Sequence, residues 1–162
     1  NEKIALLQRA IDDIMGTFYR QTLFAIYELE AHKLIESDQP ITSEALSKIM
    51  INLYKEFYDI DITEEQVKEF VWAYIPHLFY TPFYVYQYAT SFAASLKIYE
   101  NVKNKEENAF ENYLNLLKSG GSDYPVKQVL NAGVDLTKDE SFKAVVNRLE
   151  ELVDELEVVL KS

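Results

Sequence analysis

The residues best suited to chemistry lie in one aromatic stretch that begins at a histidine. His77 follows Pro76, and tyrosines stand shortly after it at Tyr80, Tyr84, Tyr86 and Tyr88. Phenol hydroxyls and an imidazole that converge from a loop and a helix start are donors suited to a developing oxyanion or to a peptide backbone. Tyrosines of a buried helix are also typical of a core whose hydroxyls have found partners, and composition alone favours that structural role.

Metal chemistry is limited by the two histidines of the chain. His32 lies four residues after Glu28, so on a helix the two side chains share a face, but no third neutral ligand accompanies them. The pattern therefore favours a partly solvated helix face with a His–Glu hydrogen bond. Neither His-Glu-x-x-His nor a pair of Glu-x-x-His motifs occurs, and we predict no metal ligand in this chain.

Composition excludes several classes of protein. The 162 residues contain 27 Asp and Glu against 16 Lys and Arg, which gives a formal net charge of −11, and no cysteine. Such a chain repels phosphate, so we expect neither nucleic acid nor an anionic membrane surface as a partner. Without cysteine there is no disulfide framework and no thiolate zinc site. The sequence has no apolar run long enough to span a membrane and no secretory pattern, so we expect a cytoplasmic protein.

The elements that must position these residues are predicted to be helices. Apolar residues recur at three- and four-residue steps, glycine and proline are few, and nothing alternates with period two. We expect helices over 2–36, 42–58, 63–74, 83–103, 106–118, a short stretch after Pro125, and 137–160. The third of these would be capped by Thr63 with Gln66. The sequence predicts an all-α multi-helix bundle of six or seven helices, with an irregular segment over 75–82.

Three blocks of the sequence resemble one known family. They are Phe18-Tyr19-Arg20-Gln21-Thr22-Leu23-Phe24-Ala25, then Ile75-Pro76-His77 with Phe83-Tyr84-Val85-Tyr86-Gln87-Tyr88-Ala89-Thr90, and last Leu117-Lys118-Ser119-Gly120-Gly121-Ser122-Asp123-Tyr124-Pro125 with Ala132-Gly133-Val134-Asp135. In this order they resemble the C-terminal part of oligoendopeptidase F, a relative of the thimet-type zinc oligopeptidases. The resemblance covers nearly the whole chain.

The resemblance implies a larger, clam-like helical zincin peptidase that hydrolyses short peptides. Residues 1–162 would form a single helical segment at the C-terminal end of its catalytic domain. In that family a His-Glu-x-x-His helix and a following glutamate hold zinc upstream of the first block, so the upstream part of the same polypeptide is an implied partner. The sequence begins at Asn1 without these ligands, and we expect this chain alone to be inactive.

The resemblance also implies roles for the aromatic stretch. A histidine and tyrosines on a loop beside the zinc bind substrate and stabilise the tetrahedral intermediate in that family. His77 matches the histidine, and we predict His77, Tyr84 and Tyr88 as catalytic and Tyr80 and Tyr86 as substrate-binding. The alternative is a non-catalytic helical module whose segment over 79–88 binds a peptide or a partner helix.

Overall fold

The computed structural model describes residues 2–65 and 67–161, and every regular element within these ranges is a helix. Eight α-helices are present among them: α1 Glu2–Ile14, α2 Arg20–Glu36, α3 Ser43–Tyr58, α4 His77–Tyr80, α5 Tyr86–Lys103, α6 Ala109–Ser119, α7 Pro125–Asn131 and α8 Glu140–Leu160. A π-helix over Met15–Tyr19 separates α1 from α2, and a 3-10 helix covers Lys68–Tyr74. The all-α prediction is confirmed. The described helices outnumber the six or seven expected because the first is divided and α4 was not foreseen.

The chain folds as two compact units. One unit is Tyr19–Ala89, and the other combines Asn1–Phe18 with Thr90–Ser162. In the second unit α1 packs against α8 and α6 against α7. Its buried apolar residues include Ile14, Val134, Val145 and Leu152. No helix of the described residues is both long enough and apolar enough to cross a membrane.

The Tyr19–Ala89 unit is organised around α2, which packs against α3. Its core consists of buried apolar side chains from both helices and from the segments that follow: Leu23, Phe24, Tyr27, Met50, Leu53, Ile62, Val71 and Val85. Helix α3 begins where the Thr42 Oγ1 accepts a hydrogen bond from the Ala45 amide at 3.2 Å, an N-cap of the usual type. Since Val85 belongs to this core, the chain just before α5 is fixed to the rest of the unit.

The prediction of an α-helix over 63–74 is wrong, because Lys68–Tyr74 in this part of the chain forms a 3-10 helix. Val67 has φ 68°, in the left-handed region, so a continuous α-helical hydrogen-bond pattern cannot pass through it. The chain instead forms a 3-10 helix whose first bonds span three residues, such as Phe70 N–H to Val67 O at 3.1 Å. It ends at Tyr74, and the next residue, Ile75, is extended because a proline follows. Gln66, the second residue of the predicted cap, lies outside the described residues.

Tyr27 carries a polar atom in the core of the same unit. Its hydroxyl is buried and has no hydrogen-bond partner among residues 2–65 and 67–161, while its ring stacks on Trp72 with centroids 6.4 Å apart. Burial raises the pKa of this phenol above its ordinary value. An unsatisfied buried hydroxyl costs about 1–3 kcal/mol.

We therefore expect Tyr27→Phe to stabilise the chain by about 1 kcal/mol at neutral pH. The raised pKa means that the unfolded state releases the Tyr27 proton first, so wild-type stability falls as pH rises above about 10. The phenylalanine variant lacks this component, and its advantage grows by up to about 1.4 kcal/mol per pH unit there. Urea unfolding of both proteins at pH 7 and pH 11 measures the difference. A variant less stable at both pH values contradicts this assignment.

Candidate active site

The backbone between the 3-10 helix and α5 places His77 and the tyrosines that follow it. Pro76 is the residue before α4, and its carbonyl accepts a hydrogen bond from the Tyr80 amide at 3.0 Å, which closes a single helical turn. Proline suits this position because its fixed φ matches a helix start. The chain then turns at Phe83, which has φ 57°, and enters α5 at Tyr86. The segment predicted as irregular thus contains one short helix that begins at His77.

Three of the predicted site residues lie with their aromatic rings in mutual contact. The imidazole of His77 is stacked on the Tyr84 ring, with centroids 5.3 Å apart and planes 8° from parallel. The Tyr88 ring meets both edge-on, at 6.1 Å from His77 and 5.5 Å from Tyr84. We call His77, Tyr84 and Tyr88 the ring cluster. It brings one imidazole and two phenol groups to one place in the Tyr19–Ala89 unit.

The two phenols of the ring cluster are linked to each other. A hydrogen bond with the Tyr84 hydroxyl raises the pKa of Tyr88, with desolvation as a lesser cause. Tyr88 therefore keeps its proton throughout the neutral pH range. Each phenol O–H is a donor that an external acceptor can use.

Tyr80 and Tyr86 are placed differently from the ring cluster. Tyr80 is the last residue of α4 and is 85% exposed, and Tyr86 is the first residue of α5 and is 49% exposed. Tyr88, by comparison, is 38% exposed. Both side chains are therefore more exposed than that of Tyr88. Their predicted substrate-binding role stays a prediction.

The sequence analysis missed the part that Glu28 plays beside this segment. Its carboxylate Oε1 accepts a hydrogen bond from the Phe83 amide at 2.7 Å, across 55 positions of sequence. The expected hydrogen bond between His32 and Glu28 is made to the backbone of Glu28: His32 Nδ1 lies 3.1 Å from the Glu28 carbonyl oxygen. One signal in the sequence could have indicated that Glu28 is buried. It follows Phe24 by four residues, so the two side chains share a face of α2.

An apolar cavity of about 230 Å³ lies in the same unit. Leu78 and Phe79 of α4, Ile35 of α2 and Ile41 contribute to its wall. These side chains suit an apolar group of a ligand. Helix α4 thus supplies both the histidine of the ring cluster and part of this wall.

The described residues do not fit the zinc ion that the resemblance implies. Within 2–65 and 67–161, no three or more His, Asp or Glu side chains are grouped so that they could hold a metal ion. The neighbours of His77 in the ring cluster are phenols, whereas zinc sites use imidazole, thiolate or carboxylate. No catalytic step of this chain is therefore assigned to zinc.

Comparisons with known proteins agree on one class. Residues 1–148 match the model of peptidase family M3. The chain is 42% identical over 146 residues to an oligoendopeptidase F homologue of Borreliella burgdorferi, covering 88% of this chain and 25% of that protein. It is 31% identical to the oligopeptidase PepF of Bacillus subtilis, covering 98% of this chain and 24% of that protein. The crystal structure of oligoendopeptidase-F from Enterococcus faecium superposes with a TM-score of 0.91 at 36% identity, covering 98% of this chain and 30% of that one.

These matches define the class of the chain as a member of a peptidase family with an all-helical fold in the described residues. More specifically, the chain belongs to peptidase family M3, and its relatives include oligoendopeptidase F homologues. The predicted resemblance is confirmed. The chain spans about a quarter of the length of the curated relatives that it matches.

Proposed function

We propose that this chain is the C-terminal segment of a zinc-dependent oligoendopeptidase and that its ring cluster binds the substrate and the oxyanion of peptide hydrolysis. The observation that carries the proposal is the mutual ring contact of His77, Tyr84 and Tyr88, whose ring centroids lie 5.3–6.1 Å apart. Family membership supplies the reaction class, and the ring cluster supplies donors of the right chemistry.

The role of the ring cluster follows from how charge develops during hydrolysis. When the carbonyl carbon of a peptide bond becomes tetrahedral, its oxygen gains negative charge and becomes a stronger hydrogen-bond acceptor. An imidazole N–H of His77 and a phenol O–H of the Tyr84–Tyr88 pair are held before the reaction begins, so they need little reorganisation. The same donors would hold the backbone of a bound peptide.

The substrate class follows from the family and from the wall of the cavity. Short peptides are the proposed substrates, and an apolar side chain of such a peptide suits the cavity that Leu78 and Phe79 help to line. Zinc and the residues that hold it would come from an upstream part of the same polypeptide. We accordingly expect the 162 residues alone to be inactive, and a cytoplasmic location stays a prediction.

A chimera tests this proposal. The quarter of the Borreliella burgdorferi homologue that this chain matches is replaced by the chain, and hydrolysis of quenched fluorescent peptides is measured. We expect the chimera to cleave peptides at a rate comparable to that of the parent homologue, and the isolated chain to show no cleavage. The parent homologue and a version that lacks the matching quarter are the controls. A folded, zinc-loaded chimera without activity would contradict the proposal and favour a binding module.

A further inference from the structure

Glu28 is a carboxylate inside the core of the Tyr19–Ala89 unit. It is 4% exposed, and its helix neighbours Leu23, Phe24 and Tyr27 all belong to the apolar core. An acidic side chain in such a place is unfavourable unless it is hydrogen-bonded. The 2.7 Å hydrogen bond from the Phe83 amide supplies that partner from a distant part of the sequence.

Phe83 is held in a conformation that it would not adopt readily by itself. Its φ of 57° lies in the left-handed region, which side chains with a Cβ disfavour. Two contacts from α2 hold it there: Glu28 binds its amide, and the His32 ring packs on its ring with centroids 4.7 Å apart. Since Glu28 and His32 are four residues apart, a single face of α2 contacts both the backbone and the ring of Phe83.

The residue that follows Phe83 belongs to the ring cluster. Tyr84 is joined to Phe83 by one peptide bond and stacks on His77. Any movement of the Phe83 backbone is therefore passed directly to Tyr84.

We infer that Glu28 is a positioning residue of this peptidase segment: its hydrogen bond to the Phe83 amide holds Tyr84 against His77. This inference rests on the proposed function for its catalytic consequence. The carboxylate of Glu28 is hydrogen-bonded to the Phe83 amide, so Glu28 acts on the ring cluster through Phe83.

Three variants separate the hydrogen bond from other effects. Glu28→Met removes the acceptor and keeps the side-chain volume, a replacement that buried ionic groups often tolerate. Glu28→Gln keeps an acceptor oxygen at the same place. Glu36→Ala changes an exposed glutamate at the end of the same helix and is the matched control.

In the chimera, we expect Glu28→Met to lower kcat by about 10²-fold with a smaller change in KM, because displaced catalytic groups lose rate more than affinity. Glu28→Gln should restore most of kcat, and Glu36→Ala should match the parent. A Glu28→Met variant with unchanged kcat, or a Glu28→Gln variant as impaired as Glu28→Met, overturns the inference.

Proton NMR of the 162-residue chain gives a readout that does not depend on activity. The chain has two histidines, and both touch the segment in question, His32 through Phe83 and His77 through Tyr84. We expect the ring resonances of His77 to shift in Glu28→Met and to remain in place in Glu36→Ala, whereas His32 lies four residues from both mutated positions and is not the readout. Unmoved resonances in a folded Glu28→Met chain overturn the positioning role. If the resonances shift but the chimera with the unmodified chain is inactive, the positioning role is supported and the proposed function is wrong.

Discussion

Replacing His77 with alanine is expected to lower the kcat of the chimera by about 10²-fold or more, since the loss of one oxyanion donor has an effect of that size. The stacked arrangement on Tyr84 holds the imidazole in place, so the variant loses a preorganised donor and not merely a flexible side chain. The zinc content of the chimera should not change, because His77 is not proposed as a ligand. Steady-state kinetics and metal analysis on the same preparations measure both quantities.

Companion variants assign the role within the ring cluster. His77→Gln keeps an N–H donor and should lose less than His77→Ala. Tyr84→Phe and Tyr88→Phe each remove one hydroxyl of the linked pair, and the one with the lower kcat identifies the phenol that reaches the substrate. If His77→Ala keeps normal kcat, His77 has no part in the reaction.

The second large effect is on stability. Leu23→Ala should destabilise the chain by about 2–5 kcal/mol, the range for a leucine removed from a closely packed core. Leu23 is 1% exposed and packs in the core between α2 and α3. A loss of this size is a large part of the stability of a typical domain. Urea unfolding followed by the fluorescence of Trp72, the one tryptophan of the chain, reports on this unit.

Leu29→Ala is the matched control because it makes the same change on the same helix. Leu29 is 44% exposed, so truncation opens less buried space, and we expect a change within about 1 kcal/mol. Equal losses in the two variants would contradict the core described for the Tyr19–Ala89 unit.

The helical fold was predictable because its signal is local. Apolar residues repeat at helical spacing along α1, α3 and α8, and few breakers interrupt them, so element type followed from periodicity. The end of α3 was predicted at its observed position, Tyr58. The family was predictable from three residue blocks, because their identity and their order along the chain can be read without knowing the fold. The match to the family model confirms that prediction.

The errors occur where tertiary contacts decide the backbone. Helix α5 was expected from Phe83 but begins at Tyr86, because Phe83 has φ 57°, in the left-handed region, where its amide binds Glu28. The 3-10 helix after Val67 likewise depends on a left-handed residue that no local pattern marks. Long-range contacts of this kind cannot be derived from spacing, and for that reason Glu28 was seen only as a neighbour of His32.

The measurement that tests the central claim most directly is the affinity of the chimera for a phosphinate peptide, whose tetrahedral oxygens resemble the oxyanion. If the ring cluster stabilises that oxyanion, His77→Ala should weaken phosphinate binding by about the same factor as it lowers kcat/KM, with a much smaller change in KM. Phosphinate affinity that stays at the parent value while kcat/KM falls would contradict the account, as would an equal loss of affinity for phosphinate and substrate.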